Sequence, residues 1–254
     1  MRSQQRSIVV VLGALSLACS DGKGAARDAA PSIKPSAAAE GPVASAESTT
    51  AAADAPAGQR RTVLFLGTSL TAGLGLDPDS AYPQRVQRKI DARSLPYQVV
   101  NAGVSGETSA GLLRRLGWVL QRPADVIVVE TGANDGLRGL QVASTRSTID
   151  SILTRIRTER PNAIVALVQM EAPPNLGREY TSAFHQMFAD LAREHHAVLL
   201  PFLLEHVAGY PELNQGDGVH PNDIGERIVA ENVWRGLQPL LAPRPSAEPP
   251  TGAR

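Results

Sequence analysis

Hydrophobic residues in this chain fall into two alternating kinds of cluster. Short runs at Val63–Leu66, Asp125–Glu130, Ala163–Gln169 and Val198–Leu200 show no regular polar face, as expected of parallel strands covered on both sides. A weaker stretch, Tyr97–Asn101, reads as one further strand. Between these runs the apolar positions recur at helical spacing. Val86 and Ile90 mark a helix over Tyr82–Asp91, and Leu112, Leu113 and Leu116 mark another after the loop Ala102–Ser109. Ile149, Ile152, Leu153 and Ile156 predict a helix over Gln141–Glu159, which Pro161-Asn162 ends. Two more are expected at Tyr180–His195 and Ile224–Leu240, and Met170–Gly177, with two prolines, reads as a loop. The alternation predicts an α/β fold, a three-layer α/β/α sandwich of the flavodoxin-like kind. Its five-stranded parallel sheet has the expected order 2-1-3-4-5.

The flanks differ. Arg2 and Arg6 precede an apolar run, Ile8 to Ala18, that is too short to span a membrane and reads as an export signal over residues 1–18. Leu15-Ser-Leu-Ala-Cys19 resembles a bacterial lipobox, which implies lipidation of Cys19, although the favoured Leu is Ser16 here. Ordinary signal cleavage with an incidental cysteine is the alternative. Residues 19–59 and 242–254 are dominated by Ala, Pro, Ser, Gly and Thr and hold too little apolar surface to offset ordering entropy. They are expected to be a disordered tether and tail around a folded domain at 60–241. The protein is then expected to face the periplasm in a bacterial cell envelope, touching the membrane only through the lipid.

Composition removes several classes of function. Lys plus Arg equals Asp plus Glu at 25 each, and aromatics are 4%, so neither a basic field nor a base-stacking platform points to nucleic acid. Cys19 is the single cysteine, so no internal disulfide forms, and no Cys/His spacing suits zinc.

The candidate chemistry lies past the carboxyl ends of the strands, where open α/β sheets bind ligands. Ser69 follows the first strand, Gly106 the second, and Asn134-Asp135 the third, while Asp217 and His220 precede the last helix. A serine hydroxyl needs a base to take its proton, and His is the usual one, oriented by a carboxylate on its other nitrogen. Asp217, three residues before His220, is close enough to serve. The N–H groups of Ser69 and Gly106 and the amide of Asn134 are candidate donors to an oxyanion. Each residue also has a plain reading: a helix-capping Ser, a turn Gly, and an Asx-turn at Asn134 in which Asp135 belongs to the turn.

Taken together, Gly67-Thr-Ser-Leu, Gly106, Gly132-Ala-Asn-Asp135 and Asp217-Gly-Val-His220 resemble the four blocks of the SGNH, or GDSL-type, hydrolases. The likeness runs from about Arg61 to Leu241 and is strongest to the bacterial extracytoplasmic arylesterases, acyl-CoA thioesterases and lysophospholipases. It implies Ser69 as nucleophile, His220 as base and acid, and Asp217 as orienter. Ser69, Gly106 and Asn134 would form the oxyanion hole. A small acyl ester is the implied substrate, with no cofactor and no metal, and the domain is expected to act as a monomer. Thr68 departs from the family pattern, since it stands where the motif carries Asp. Leu137, Leu176 and Tyr180 are candidate substrate-lining residues, with Leu140 beside them. Two other readings share the scaffold: a flavodoxin-type phosphate- or flavin-binding protein using Gly67–Gly73, and a sugar O-acetylesterase or acyltransferase using the same triad. The remaining histidines, His185, His195, His196 and His206, read as surface or packing residues.

Overall fold

A computed structural model describes residues 60–241; the expected signal, Cys19, tether and tail lie outside the described residues. Five strands form one parallel sheet: β1 (Arg61–Gly67), β2 (Tyr97–Gly103), β3 (Val126–Val129), β4 (Ile164–Gln169) and β5 (Val198–Phe202). Their order is β2-β1-β3-β4-β5. Phe65 pairs with Asn101 of β2 on one side and Val128 of β3 on the other, so β1 is central. All four residues of β3 and Thr62–Gly67 of β1 are buried, which explains their unbroken apolar runs.

The helices are α1 (Ser69–Ala72), α2 (Tyr82–Ala92), α3 (Ser109–Val119), α4 (Ala133–Leu137), α5 (Val142–Glu159), α6 (Arg178–Glu194) and α7 (Asp223–Leu237). Helices α2 and α7 pack together, while α3 and α6 each pack on α5, giving the two outer layers. The connection β1-α2-β2 steps one way along the sheet and the later ones step the other way. Right-handed crossovers therefore place α2 opposite α3, α5 and α6. Val86 and Ile90 of α2, and Ile149, Ile152, Leu153 and Ile156 of α5, are completely buried. Each such aliphatic side chain contributes roughly 2 kcal/mol through removal from water.

Two helices escape hydrophobic periodicity because they are only four and five residues long. The last helix ends at Leu237 rather than Leu240, and Gln238–Leu240 continues as a 3₁₀ turn. Pro239 accounts for the change, because it lacks an N–H and its ring crowds the preceding turn. Asn222 caps α7, accepting from the N–H groups of Ile224 (2.9 Å) and Gly225 (3.0 Å).

Candidate active site

Strand β1 stops at Gly67, where a side chain would collide with its surroundings. A Cβ there would lie 1.9 Å from Thr71 Oγ1 and 2.7 Å from Glu130 Oε2. Thr68 then caps α1, and Ser69 becomes its first residue, buried yet on the wall of a cavity.

The partners of Ser69 arrive from the far end of the chain. Ser69 Oγ lies 2.8 Å from His220 Nε2, and His220 Nδ1 lies 2.6 Å from Asp217 Oδ2. The other oxygen of Asp217 accepts the N–H groups of Val219 (2.9 Å) and His220 (3.0 Å). These contacts, led by the His220 N–H, hold the Asp217 carboxyl down at about 2. An ionised Asp217 keeps the ring proton on Nδ1 and leaves Nε2 to accept from the serine hydroxyl. The loop is fastened at both ends: Gln215 N–H donates to His220 O (2.7 Å), and Asn214 pairs with Pro221 in a short antiparallel bridge.

Opposite this row sits the Val104–Thr108 loop. Gly106 has φ +75°, a left-handed backbone that favours glycine. The N–H groups of Ser69 and Gly106 have no protein acceptor among the described residues. Asn134 Nδ2 spends one proton on Glu107 O (2.9 Å) and retains a second. All three donors border the same cavity. The loop is braced by Arg115, whose guanidinium grips both Glu107 carboxylate oxygens (2.7 Å each) and the Ala102 carbonyl (2.8 Å). Arg138 donates to Gly106 O (3.0 Å). Asp135 is buried and accepts from Ser109 N–H (2.8 Å) and Oγ (2.6 Å). It joins α4 to α3, and residues 133–137 are helical, so the alternative reading of an Asx-turn at Asn134 does not hold.

The cavity measures about 540 Å³. Its walls are mainly apolar, with Leu70, Leu74, Leu137, Met170, Phe202 and Leu204 among them, and Glu171 is the carboxylate on its border. Of the expected lining residues, Leu137 is there, but Leu176 and Tyr180 are not. Leu176 turns toward Gly139, while Tyr180 stacks on Phe184 and donates its hydroxyl to Leu140 O (2.6 Å).

Residues 65–228 match the model of the GDSL-like lipase/acylhydrolase family. Esterase TesA of Pseudomonas aeruginosa is 39% identical over 183 residues, which are 71% of this chain and 90% of that protein. The thioesterase 1/protease 1/lysophospholipase L1 of Escherichia coli is also 39% identical, over 71% of this chain and 85% of its own. Among solved structures, the psychrotrophic esterase EstA from Pseudoalteromonas, inhibited by monoethylphosphonate, superposes with a TM-score of 0.68. It is 32% identical, over 71% of this chain and 98% of that one.

The chain belongs to the GDSL-like lipase/acylhydrolase family.

This hydrolase is accordingly a carboxylic ester hydrolase, and the phosphate-loop reading of Gly67–Gly73 is set aside. The loop after β1 is already engaged from within the fold: the Thr68 N–H donates to the Glu130 carboxyl at 2.7 Å. Thr68, the departure from the family motif, also donates its hydroxyl to Glu130 (3.0 Å). In the sequence Glu130 reads as the end of a buried strand, and no spacing pattern signals its contacts with residues about 60 positions earlier. The Arg115–Glu107 brace escapes for a related reason, since the pair joins a loop residue to the middle of α3. Two of the other histidines have carboxylate partners: His185 Nδ1 meets Glu171 at 2.6 Å and His195 Nε2 meets Asp150 at 2.7 Å. His196 and His206 sit in turns with positive φ. Among the described residues no cluster of His, Cys, Asp and Glu is arranged to hold a metal ion, and no helix is long and apolar enough to cross a membrane.

Proposed function

We propose that Ser69 is the nucleophile, His220 the general base and acid, and Asp217 the residue that orients the imidazole. The observation that carries this reading is the unbroken row Asp217–His220–Ser69, with contacts of 2.6 and 2.8 Å. Ser69 Oγ attacks the ester carbonyl while Nε2 takes its proton. The carbonyl oxygen becomes an anion facing the N–H groups of Ser69 and Gly106 and the amide of Asn134. Collapse of this intermediate expels the alcohol, which receives the proton from Nε2, and leaves an acyl-serine. Water then enters, gives its proton to Nε2 and repeats the sequence to release the acid. The imidazolium formed in each half is stabilised by the ionised Asp217.

The apolar walls and size of the cavity favour an acyl chain well beyond acetyl, which argues for aryl and acyl esters over sugar acetates. The thioesterase and lysophospholipase names of the Escherichia coli relative extend the range to acyl thioesters and lysophospholipids. The phosphonate-inhibited EstA supports a serine nucleophile in this fold. The test is a rate panel of p-nitrophenyl acetate, butyrate, octanoate and palmitate, a medium-chain acyl-CoA and a lysophospholipid. Turnover on the longer esters that vanishes in Ser69→Ala supports the reading; equal turnover by Ser69→Ala refutes it. The enzyme is also proposed to work as a monomer, exported and held at the cell envelope through a lipid on Cys19. Cys19→Ser should then shift it from the membrane to the soluble fraction.

A further inference from the structure

Glu130 lies completely buried directly beneath the turn that carries Ser69. One of its oxygens, Oε2, receives the Thr68 N–H (2.7 Å), the Thr68 hydroxyl (3.0 Å) and the Thr71 hydroxyl (2.9 Å). The other oxygen is 3.1 Å from the Thr68 hydroxyl. Tyr82 extends the chain, its OH 2.7 Å from Thr71 Oγ1. A hydroxyl has one proton to give, and that of Thr71 goes to Glu130, so Tyr82 donates and Thr71 accepts. Burial pushes the Glu130 carboxyl up, and the bonds from Thr68 and Thr71 pull it back. No part of the hydrolytic sequence uses this group.

Its place in the backbone gives it a task. By taking the Thr68 N–H, the carboxylate fixes the Gly67–Thr68 peptide plane, one residue before the nucleophile. Thr68 O in turn accepts Ala72 N–H (2.9 Å), and the Thr68 hydroxyl caps the N–H of Leu70 (3.4 Å). Ser69 is thereby held on both sides in sequence, through Thr68 and Thr71, while its own N–H stays uncommitted and borders the cavity. Gly67 makes this possible, since any side chain there would fill the space between Thr71 and the carboxylate.

We propose that Glu130 is a positioning residue for ester hydrolysis, aiming both the hydroxyl and the N–H of Ser69 by accepting hydrogen bonds from Thr68 and Thr71. The proposal rests on Ser69 being the nucleophile and adds a contribution expressed in the transition state. A hydroxyl aimed at the carbonyl and an N–H aimed at the forming oxyanion matter more there than in substrate binding. The role is that of an acceptor, so an amide oxygen can fill it. In Glu130→Gln, the side-chain oxygen takes the Oε2 place and the NH₂ faces the Thr68 hydroxyl.

The test compares Glu130→Gln, Glu130→Ala, Thr71→Val and Thr71→Ser on a chromogenic acyl ester, with Ser69→Ala in parallel and folding checked by near-ultraviolet circular dichroism. In Glu130→Ala, kcat should fall about 100-fold, the scale of losing one oxyanion donor, with KM within about 3-fold of wild type. Glu130→Gln should restore kcat to within about 5-fold, and inactivation by a serine-directed phosphonate should follow the same ranking. If Glu130→Ala fails to fold, Thr71→Val carries the test: kcat should fall about 10-fold at unchanged KM, with recovery in Thr71→Ser. Wild-type kcat in a folded Glu130→Ala or in Thr71→Val overturns the proposal, as does a loss appearing only in KM. Full activity in Ser69→Ala would instead refute the assignment of the nucleophile, so the two failures are distinct.

Discussion

Replacing Glu226 by Gln should make this enzyme more tolerant of alkali. Glu226 lies on α7 with 2% of its surface exposed, and its Oε2 has no hydrogen-bond partner among the described residues. Burial pushes its carboxyl up to about 8; the Tyr82 N–H and Arg85 oppose the rise, and Asp223 adds to it. The native state thus holds a proton that the unfolded chain gives up near 4.5, so stability falls as pH rises from about 4.5 to about 8 and then levels. A gap of about 3.5 pH units at about 1.4 kcal/mol each puts the full loss at roughly 4–5 kcal/mol, a large share of a domain's usual stability. Glutamine matches the protonated acid in shape, retains an oxygen for the Tyr82 N–H, and cannot ionise. Urea unfolding of both proteins from pH 5 to pH 9 is the assay. The stability advantage of Glu226→Gln should grow by about 3–4 kcal/mol across that range, most of it below pH 8. A gap that stays constant with pH would show that Glu226 does not hold its proton in the native state.

The active site supports further expectations. His220→Ala and Ser69→Ala should each remove nearly all turnover. Asp217→Asn should cost less, roughly 10²–10⁴-fold in kcat, because the imidazole keeps its place while losing its charged partner. Arg115→Gln should lower kcat about 10-fold with little change in KM, because it releases the Gly106 loop and leaves the Glu107 carboxylate short of its partner. Gly67→Ala should cost several kcal/mol by thermal unfolding, with activity lost in parallel, since the added methyl meets Thr71 and Glu130 at contact distances no side chain tolerates.

What could be read in advance follows the range of the forces involved. The runs that became β1 and β3, and the spacings that became α2 and α5, are local signals repeated over enough residues to be unambiguous. Strand order and the gathering of Ser69, Gly106, Asn134 and His220 at one edge of the sheet follow from those elements together with the handedness of crossovers. The short helices α1 and α4 carry no period to detect. The direction of a side chain near a helix start depends on packing, so the sequence points Tyr180 to the cavity although its ring lies on Phe184. Glu130 and Asp135 were hidden for the same reason, because what a buried carboxylate does is set by the donors that tertiary structure brings to it.

Ser69 and His220 are separated by 151 residues. A nascent chain can complete β1, α2 and much of the sheet while still lacking its base, which arrives with the loop that precedes the last helix. Every partly synthesised or partly folded form is therefore catalytically silent, however much of its core has formed. Ester turnover during refolding then reports the docking of the C-terminal segment, while far-ultraviolet signals report the earlier helices. A lag between the two would time the closing step of folding directly.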